Sequence, residues 1–279
     1  MPDVAPNSGS APEEVAIAFQ VSAKGRGRIV RAHLVALFGI SLATLWGCSG
    51  GGGYSGGSSS SGAYGGPGGG GGMSSNLKSA PGDSAVAKYF QRQHETWLNA
   101  TDSGNTYSLV VLNRPNAGTT TFNGSGPAYS MDVTATVAKA GDMYVANFVS
   151  TNYFLLNPYV PLGKVYGTGT PYAVVNSPGP LPSTLSVGSS GTIETAFIYH
   201  DGTQATVDGN MSVAYSVKPN NASTILFCLD TVVSGVTPQG TSDGLVDGTE
   251  TDCYSVSLTG DVNLVSVTMT VNGVTLHFH

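Results

Sequence analysis

The sequence predicts an antiparallel all-β domain, a β-sandwich or barrel-like fold, over residues 75–279. Three observations lead to this prediction. Apolar and polar residues alternate with a period of two in several short runs, the runs recur at short intervals, and residues that favour turns (Gly, Asn, Asp and Pro) separate them. Short alternating strands joined by tight turns are typical of such all-β folds.

At most one short helix is expected, at the start of the domain. Ser84 is a suitable N-cap, and Val86, Tyr89 and Phe90 follow at helical spacing. Trp97 continues that spacing, but the turn-like residues 101–105 that follow favour a hairpin whose first strand would contain Trp97. The sequence leaves open which of the two holds Trp97.

Period-two alternation predicts strands through the middle of the domain. It is clearest over 131–137 and over 211–217, where every second residue is apolar or aromatic. Residues 157–182 are rich in Pro and alternate weakly, so they predict either a long loop or a boundary between two smaller β modules. Further strand candidates are 107–112, 143–150, 172–175, 193–200, 224–229 and 254–258.

The last residues predict a hairpin together with its register. Asn272-Gly273 separates two alternating runs, and Asn-Gly favours a two-residue type I′ turn because both central positions need positive φ. A turn of this length places Val271 opposite Val274, and the same register pairs Met269 with Leu276 and Val267 with Phe278 on one face. His277 and His279 then share the other face.

Composition divides the chain into parts. Of the 39 glycines, 14 lie in residues 49–74, which also hold seven serines and no charged residue, so this segment predicts a flexible tether without a core. Residues 75–279 carry seven Lys and Arg against 14 Asp and Glu, a difference of about −7. Such an acidic domain lacks the basic surface of a nucleic-acid-binding protein.

The N-terminal region predicts export. Four basic residues between Lys24 and Arg31 precede an uncharged run of 13 residues, Leu34 to Trp46. As a helix this run would span about 20 Å, less than the ~30 Å hydrocarbon core of a bilayer, which is typical of a signal peptide. Leu45-Trp46-Gly47-Cys48 follows and resembles the lipobox of bacterial lipoproteins, with Trp46 at a position where a small or aliphatic residue is usual.

The resemblance to bacterial lipoproteins implies cleavage before Cys48 and attachment of acyl chains, palmitate among them, to this residue. Ser49 after the cysteine implies sorting to the outer membrane in that family. We therefore expect a signal-peptide region at 1–47, a lipidated tether at 48–74 and the β domain at 75–279, held to a membrane of the cell envelope. Because 20 residues without a basic side chain precede the basic stretch, translation is expected to start near residue 21 or 30.

With Cys48 lipidated, two cysteines remain. Cys228 and Cys253 flank a polar segment, and in an oxidising compartment they are expected to form a structural disulfide. A metal pair or a redox centre is the alternative, although the spacing is far from Cys-x-x-Cys.

Two groups of residues could ligate a metal. Asp243, Asp247, Glu250 and Asp252 crowd a segment without Lys or Arg, which suits either Ca²⁺ or a solvated acidic loop. His277 and His279 could bind a metal with a third ligand from elsewhere, or lie on an outward face as polar residues.

No catalytic residue is predicted. The pattern Gly-x-Ser-x-Gly at 240–244 lacks the strand and helix that a nucleophile elbow requires. The sequence favours an envelope protein that acts by binding or by structural interaction. The alternatives are a carbohydrate-binding module, since the domain retains many aromatic residues, and a metal-dependent enzyme.

Overall fold

The computed structural model describes residues 76–142, 145–167 and 169–279, so the predicted signal peptide, Cys48 and the tether lie outside the described residues. The described chain contains strands and two short helices in the following order: β1 (Ser79–Pro81), α1 (Asp83–Tyr89), β2 (His94–Asp102), β3 (Asn105–Pro115), β4 (Thr120–Phe122), β5 (Ser125–Lys139), β6 (Val145–Leu155), β7 (Val160–Tyr166), β8 (Tyr172–Pro178), β9 (Thr184–Ser186), β10 (Ser190–Tyr199), β11 (Val207–Pro219), β12 (Thr224–Ser234), α2 (Pro238–Ser242), β13 (Gly248–Ser257), β14 (Val262–Val271) and β15 (Val274–Phe278).

Twelve strands follow one another in a single antiparallel sheet, in the order β15-β14-β13-β12-β11-β10-β8-β7-β6-β5-β3-β2. The two outer strands meet, because Asn99 in β2 and His279 after β15 exchange backbone hydrogen bonds of 3.0 and 3.1 Å. The sheet is therefore a nearly closed barrel, which confirms the antiparallel all-β prediction. Outside this path, β4 pairs with β5, and β1 pairs with β9 in a separate two-stranded sheet.

The barrel interior is filled by alternate side chains of the strands. In β5, for example, Met131, Val133, Ala135 and Val137 are all buried, as the alternation predicted. Most of the buried apolar residues form one large cluster, and a smaller cluster around Ile198 and Leu245 lies near one end. The core thus lies inside the barrel, and the opposite faces of the strands are turned outward.

The predicted C-terminal hairpin is confirmed with its register. Val271 pairs with Val274, Met269 with Leu276 and Val267 with Phe278. Residues 157–182, which the sequence assigned to a loop or a boundary, contribute β7 and β8 to the middle of the sheet. The strand candidate at 172–175 lies in β8 and is confirmed, whereas β7 replaces the expected loop.

The two helices mark the two ends of the barrel. Helix α1 begins at Asp83, before the predicted cap Ser84, and ends at Tyr89, so Trp97 lies in β2. Helix α2 was not predicted from the sequence. It begins after Thr237, whose hydroxyl accepts a 3.0 Å hydrogen bond from the Gly240 N–H, an N-cap within a segment of only five helical residues. We refer to these ends of the barrel as the α1 end and the α2 end.

The two cysteines of the domain are bonded to each other. Cys228 and Cys253 lie directly opposite in the β12–β13 ladder, with their Cα atoms 4.0 Å apart. Both cysteines are buried, and their disulfide links two central strands of the barrel wall covalently.

Candidate functional site

A groove opens at the α1 end, where the barrel wall is incomplete. β15 pairs only with Val267–Val271 of β14 and meets β2 at Asn99. Within the described residues, no strand lies between the first half of β14 and the first half of β2. The edges of residues 94–98 and 262–266 therefore border an opening of about 710 Å³, which we call the seam groove.

Helix α1 forms one side of the seam groove because of its amphipathic sequence. Ala85, Val86 and Tyr89 are buried against the barrel core, while Lys88 faces outward at the groove. The Lys88 ammonium pairs with Asp261 in the β13–β14 turn at 2.5 Å. This ion pair ties the helix to the turn across the opening. The hydrogen bond from Lys88, with a second from Thr259, lowers the pKa of the Asp261 carboxyl.

Two stacked rings, those of Tyr89 and His94, form the floor of the groove. The His94 ring lies parallel to the Tyr89 ring at a centroid distance of 4.4 Å, and its Nε2 is 3.1 Å from the Tyr89 carbonyl oxygen. The Tyr89 hydroxyl accepts a 3.0 Å hydrogen bond from Asn113. His94 is thus engaged in holding α1 against β2, which favours a structural role over that of a catalytic base.

The most exposed large apolar residue of the groove is Trp97. It lies on the outward face of β2 and is 69% exposed. Around the opening lie polar side chains of both charge signs, including Arg92, Gln93, Glu95 and Asn263. One flat apolar surface with surrounding donors and acceptors is suited to a ligand that is polar at its edges and apolar on one face.

The acidic residues predicted as a calcium site do not come together. Asp247 accepts a 3.0 Å hydrogen bond from the Val236 N–H, and Asp243 ends α2 with a 2.6 Å contact to His200. Glu250 and Asp252 are buried on the inward face of β13. Glu250 and Asp252 therefore lie in a strand and not in the acidic loop that the sequence predicted.

His277 and His279 lie on the outward face of the barrel, as the alternation indicated. The His277 Nδ1 is 3.1 Å from the Thr268 hydroxyl, and His279 closes the barrel through its backbone. Among the residues that the structure describes, one group of three potential ligands lies within 4.8 Å, and it comprises His200, Asp208 and Asp243. It contains neither of the two C-terminal histidines.

Sequence reasoning missed three residues that line the seam groove. Trp97 had a usable signal, since inward-facing Leu98 and Ala100 follow it in alternation and Trp97 must then face outward. Lys88 and Asp261 had none, because their contact joins a helix to a turn far along the chain.

Ser242 of the Gly-x-Ser-x-Gly pattern lies in α2 and donates a 3.0 Å hydrogen bond to the Pro238 carbonyl oxygen.

Within the described residues, no helix is both long and apolar enough to cross a membrane. Comparison with protein-family models, with curated proteins and with solved structures gave no match.

Proposed function

We propose that this chain is a lipid-anchored protein of the bacterial cell envelope whose β-barrel domain binds a carbohydrate in the seam groove. The observation that carries the proposal is Trp97, which is 69% exposed on the outward face of β2 beside an open groove. An exposed Trp costs hydrophobic free energy unless a ligand covers it, since an indole ring buries a large apolar area on contact.

The surroundings of Trp97 favour a sugar over a folded protein partner. The other apolar residues that line the groove, such as Tyr89 and Leu264, are already buried in the barrel core. Protein interfaces usually contain a contiguous apolar centre with a polar rim. A single aromatic surface among charged and amide side chains instead matches a hydroxyl-rich ring, which stacks through one face and hydrogen-bonds at its edges.

The anchor rests on the N-terminal sequence. The basic stretch, the short apolar run and Cys48 are followed at once by the Gly and Ser tether, which has a root-mean-square reach of about 25 to 30 Å for 26 residues. Several acyl chains on one cysteine give stable membrane attachment. We expect palmitate incorporation into the wild-type protein in bacterial cells and its loss in Cys48→Ala. Palmitate label that persists in this variant would contradict the anchor.

The binding function is tested with the chain that begins at Ser49, in which Trp97 is the one tryptophan. An array of bacterial envelope glycans identifies a ligand, which is then titrated by the fluorescence of Trp97. We expect Trp97→Ala to weaken binding by at least about tenfold, the loss typical of a central aromatic contact. Phe197→Ala is the matched control, because Phe197 is an exposed aromatic residue of β10 outside the groove.

A second candidate function is supported by the open strand edges of the groove. Residues 94–98 and 262–266 offer backbone groups to which an extended peptide could add as a strand, a common mode of peptide recognition. A blank glycan array together with peptide binding that Trp97→Ala weakens would favour this second function. No ligand of either class, or binding that is indifferent to Trp97, would overturn the assignment of the groove.

A further inference from the structure

A second cluster of polar side chains lies at the α2 end, on the far side of the barrel from the seam groove. Three elements bring it together: His200 follows β10, Asp208 lies near the start of β11, and Asp243 ends α2. Their positions are held by the backbone. The Thr237 N–H donates a 2.9 Å hydrogen bond to the Asp208 carbonyl oxygen, and Gly240 packs so closely on Asp208 that a side chain there would collide with it.

The loop that carries Asp243 is anchored in the barrel. Leu245, which follows Asp243, is buried in the smaller apolar cluster beside Ile198 and Met211. Its backbone N–H also donates a 2.8 Å hydrogen bond to the Gly240 carbonyl oxygen. The Asp243 carboxylate is therefore presented on a fixed turn and not on a mobile surface loop.

The three side chains converge on one point. The His200 Nδ1 lies 2.6 Å from Asp243 Oδ2 and 3.9 Å from Asp208 Oδ2, and one ligand atom from each residue lies within 4.8 Å of the others. Tetrahedral zinc with bonds of about 2.0 to 2.2 Å needs ligand atoms about 3.3 Å apart. Movements of less than about 1 Å, within side-chain reach, would give this arrangement.

The buried carboxylate of Asp208 also indicates that this cluster binds a cation. The Asp208 side chain is 0% exposed, and within the described residues neither carboxylate oxygen makes a hydrogen bond of ordinary geometry. A buried carboxylate whose oxygens lack ordinary hydrogen bonds is costly, and a bound cation is a usual compensation.

The pKa values of Asp208 and His200 are both shifted by their neighbours in the cluster. Burial raises the pKa of Asp208 to about 6, with a further contribution from the neighbouring Asp243 carboxyl that His200 partly offsets. The hydrogen bond with Asp243 raises the pKa of His200. Two carboxylates and one imidazole thus lie close together, and the carboxylate of Asp208 is the buried member of the three.

We propose that His200, Asp208 and Asp243 bind a divalent transition-metal ion, with Zn²⁺ as the best match to one imidazole nitrogen and two carboxylate oxygens. Imidazole favours zinc and its neighbours over Ca²⁺ or Mg²⁺, which prefer oxygen ligands alone. Asp243 also borders a pocket of about 170 Å³ beside Tyr166 and Pro171, from which water could approach a metal held by this carboxylate. This site is independent of the seam groove.

The test uses the full chain, purified in detergent, freed of metal with a chelator and titrated with ZnCl₂ by calorimetry. We expect one Zn²⁺ per chain in His277→Ala, a background that removes the exposed C-terminal histidine pair as a competing site. In that background, His200→Ala and Asp208→Asn should each weaken binding by at least tenfold. Asp247→Asn, a nearby carboxylate outside the cluster, should leave the affinity unchanged.

Thermal melting separates loss of the site from loss of folding. Asp208→Asn removes a buried charge, so its melting temperature without metal should equal or exceed that of the parent, while the rise on adding Zn²⁺ should disappear. Absence of Zn²⁺ binding by the parent, or binding that Asp208→Asn leaves unchanged, would overturn the proposal.

Discussion

At the scale of single residues, the most unusual feature is a lysine inside the barrel. Lys164 on β7 is 4% exposed, and the carboxylates of Glu194, Glu250 and Asp252 act on it from β10 and β13. Burial lowers the pKa of Lys164 to about 8, although these three negative charges act in the opposite direction. Burial also raises the pKa of Glu194. The interior thus holds a charged group whose ionisation differs between the folded and unfolded states.

This difference predicts a pH dependence of stability. The unfolded chain retains a proton on Lys164 up to about pH 10.5, whereas the folded protein releases it near pH 8. Between these values the unfolded state binds more protons, so the free energy of unfolding rises with pH. The gain from Lys164 is about 2 kcal/mol by pH 9.5. Above that pH the raised pKa of buried Tyr166 acts in the opposite direction, which limits the useful range.

The measurement is denaturant unfolding of wild type and Lys164→Arg between pH 7 and 9.5. Arginine keeps its charge throughout this range, so the rise should disappear in the variant. Lys218→Arg, at an exposed position on β11, is the matched control and should follow the wild type. Parallel pH profiles for wild type and Lys164→Arg would contradict the ionisation of Lys164 in the barrel.

Some residue-scale features could be predicted from the sequence, and others could not. The Cys228–Cys253 pair follows from counting cysteines, and the outward position of His277 follows from local alternation. Glu250 and Asp252 were assigned to a loop because acidic residues are rarely buried. Inside the barrel their charges act on Lys164 of β7, an interaction between strands far apart in the chain that has no local sequence signal.

At the scale of elements, β4 is a short arm packed on the outside of the barrel. Phe122 at its end is buried, and its ring stacks against Tyr153 at 4.4 Å and Tyr172 at 5.3 Å. Gly163 lies beneath this ring at φ +152°, where an added Cβ would come within 2.7 Å of the ring. A glycine at this position of β7 thus allows the arm to lie flat on the wall.

Removal of this ring should release the arm. We expect Phe122→Ala to lower the free energy of unfolding by about 3 kcal/mol, the cost of a deleted buried Phe. It should also speed proteolytic cleavage within 116–124, because without the buried Phe122 ring this segment is held by a short pairing with β5 and by exposed polar hydrogen bonds. Gln204→Ala is the control, since it removes only an exposed 2.7 Å hydrogen bond to Asn123 in the same arm. It should change stability by less than about 0.5 kcal/mol. Unchanged cleavage in Phe122→Ala would show that other contacts fix the arm.

Element prediction succeeded where the signal was local. The C-terminal hairpin and its register follow from Asn272-Gly273 and the alternation on both sides. β8 was recognised in part, as the strand candidate at 172–175. β7 was not recognised, because Pro161 and Gly163 interrupt the alternation, and the role of Gly163 appears only when β4 packs over it. The short helix α2 lacks the length that makes helical periodicity detectable.

At the scale of the whole molecule, successive hairpins place the strands in order, and a single seam closes the barrel. The sequence left a sandwich and a barrel open because closure joins Asn99 to His279, which lie far apart in the chain. The chain enters the domain at the α1 end, where the Leu77 N–H bonds to the Asn221 carbonyl oxygen in the β11–β12 turn. The seam groove thus lies at the end of the barrel where the described chain begins.

β15 closes the barrel by covering edges of β14 and β2. We therefore expect β15 also to prevent association between barrels. Deletion of 274–279 would expose the edges of β14 and β2 along their lengths, and unpaired edges promote pairing between chains. We expect the truncated chain to form dimers or larger species in size-exclusion chromatography with light scattering. The deletion also removes the buried Leu276 and Phe278, so the loss of core must be separated from the loss of an edge.

The double variant Leu276→Ala and Phe278→Ala makes that separation. It retains the β15 backbone and its pairing with β14 but loses both inward side chains, which should cost several kcal/mol of unfolding free energy. Because the edges that β15 pairs with remain covered, this variant should keep the oligomeric state of the wild type, whereas the truncated chain associates further. A monomeric truncated chain would mean that the wall closes without β15. Equal association of both variants would assign the effect to loss of the core.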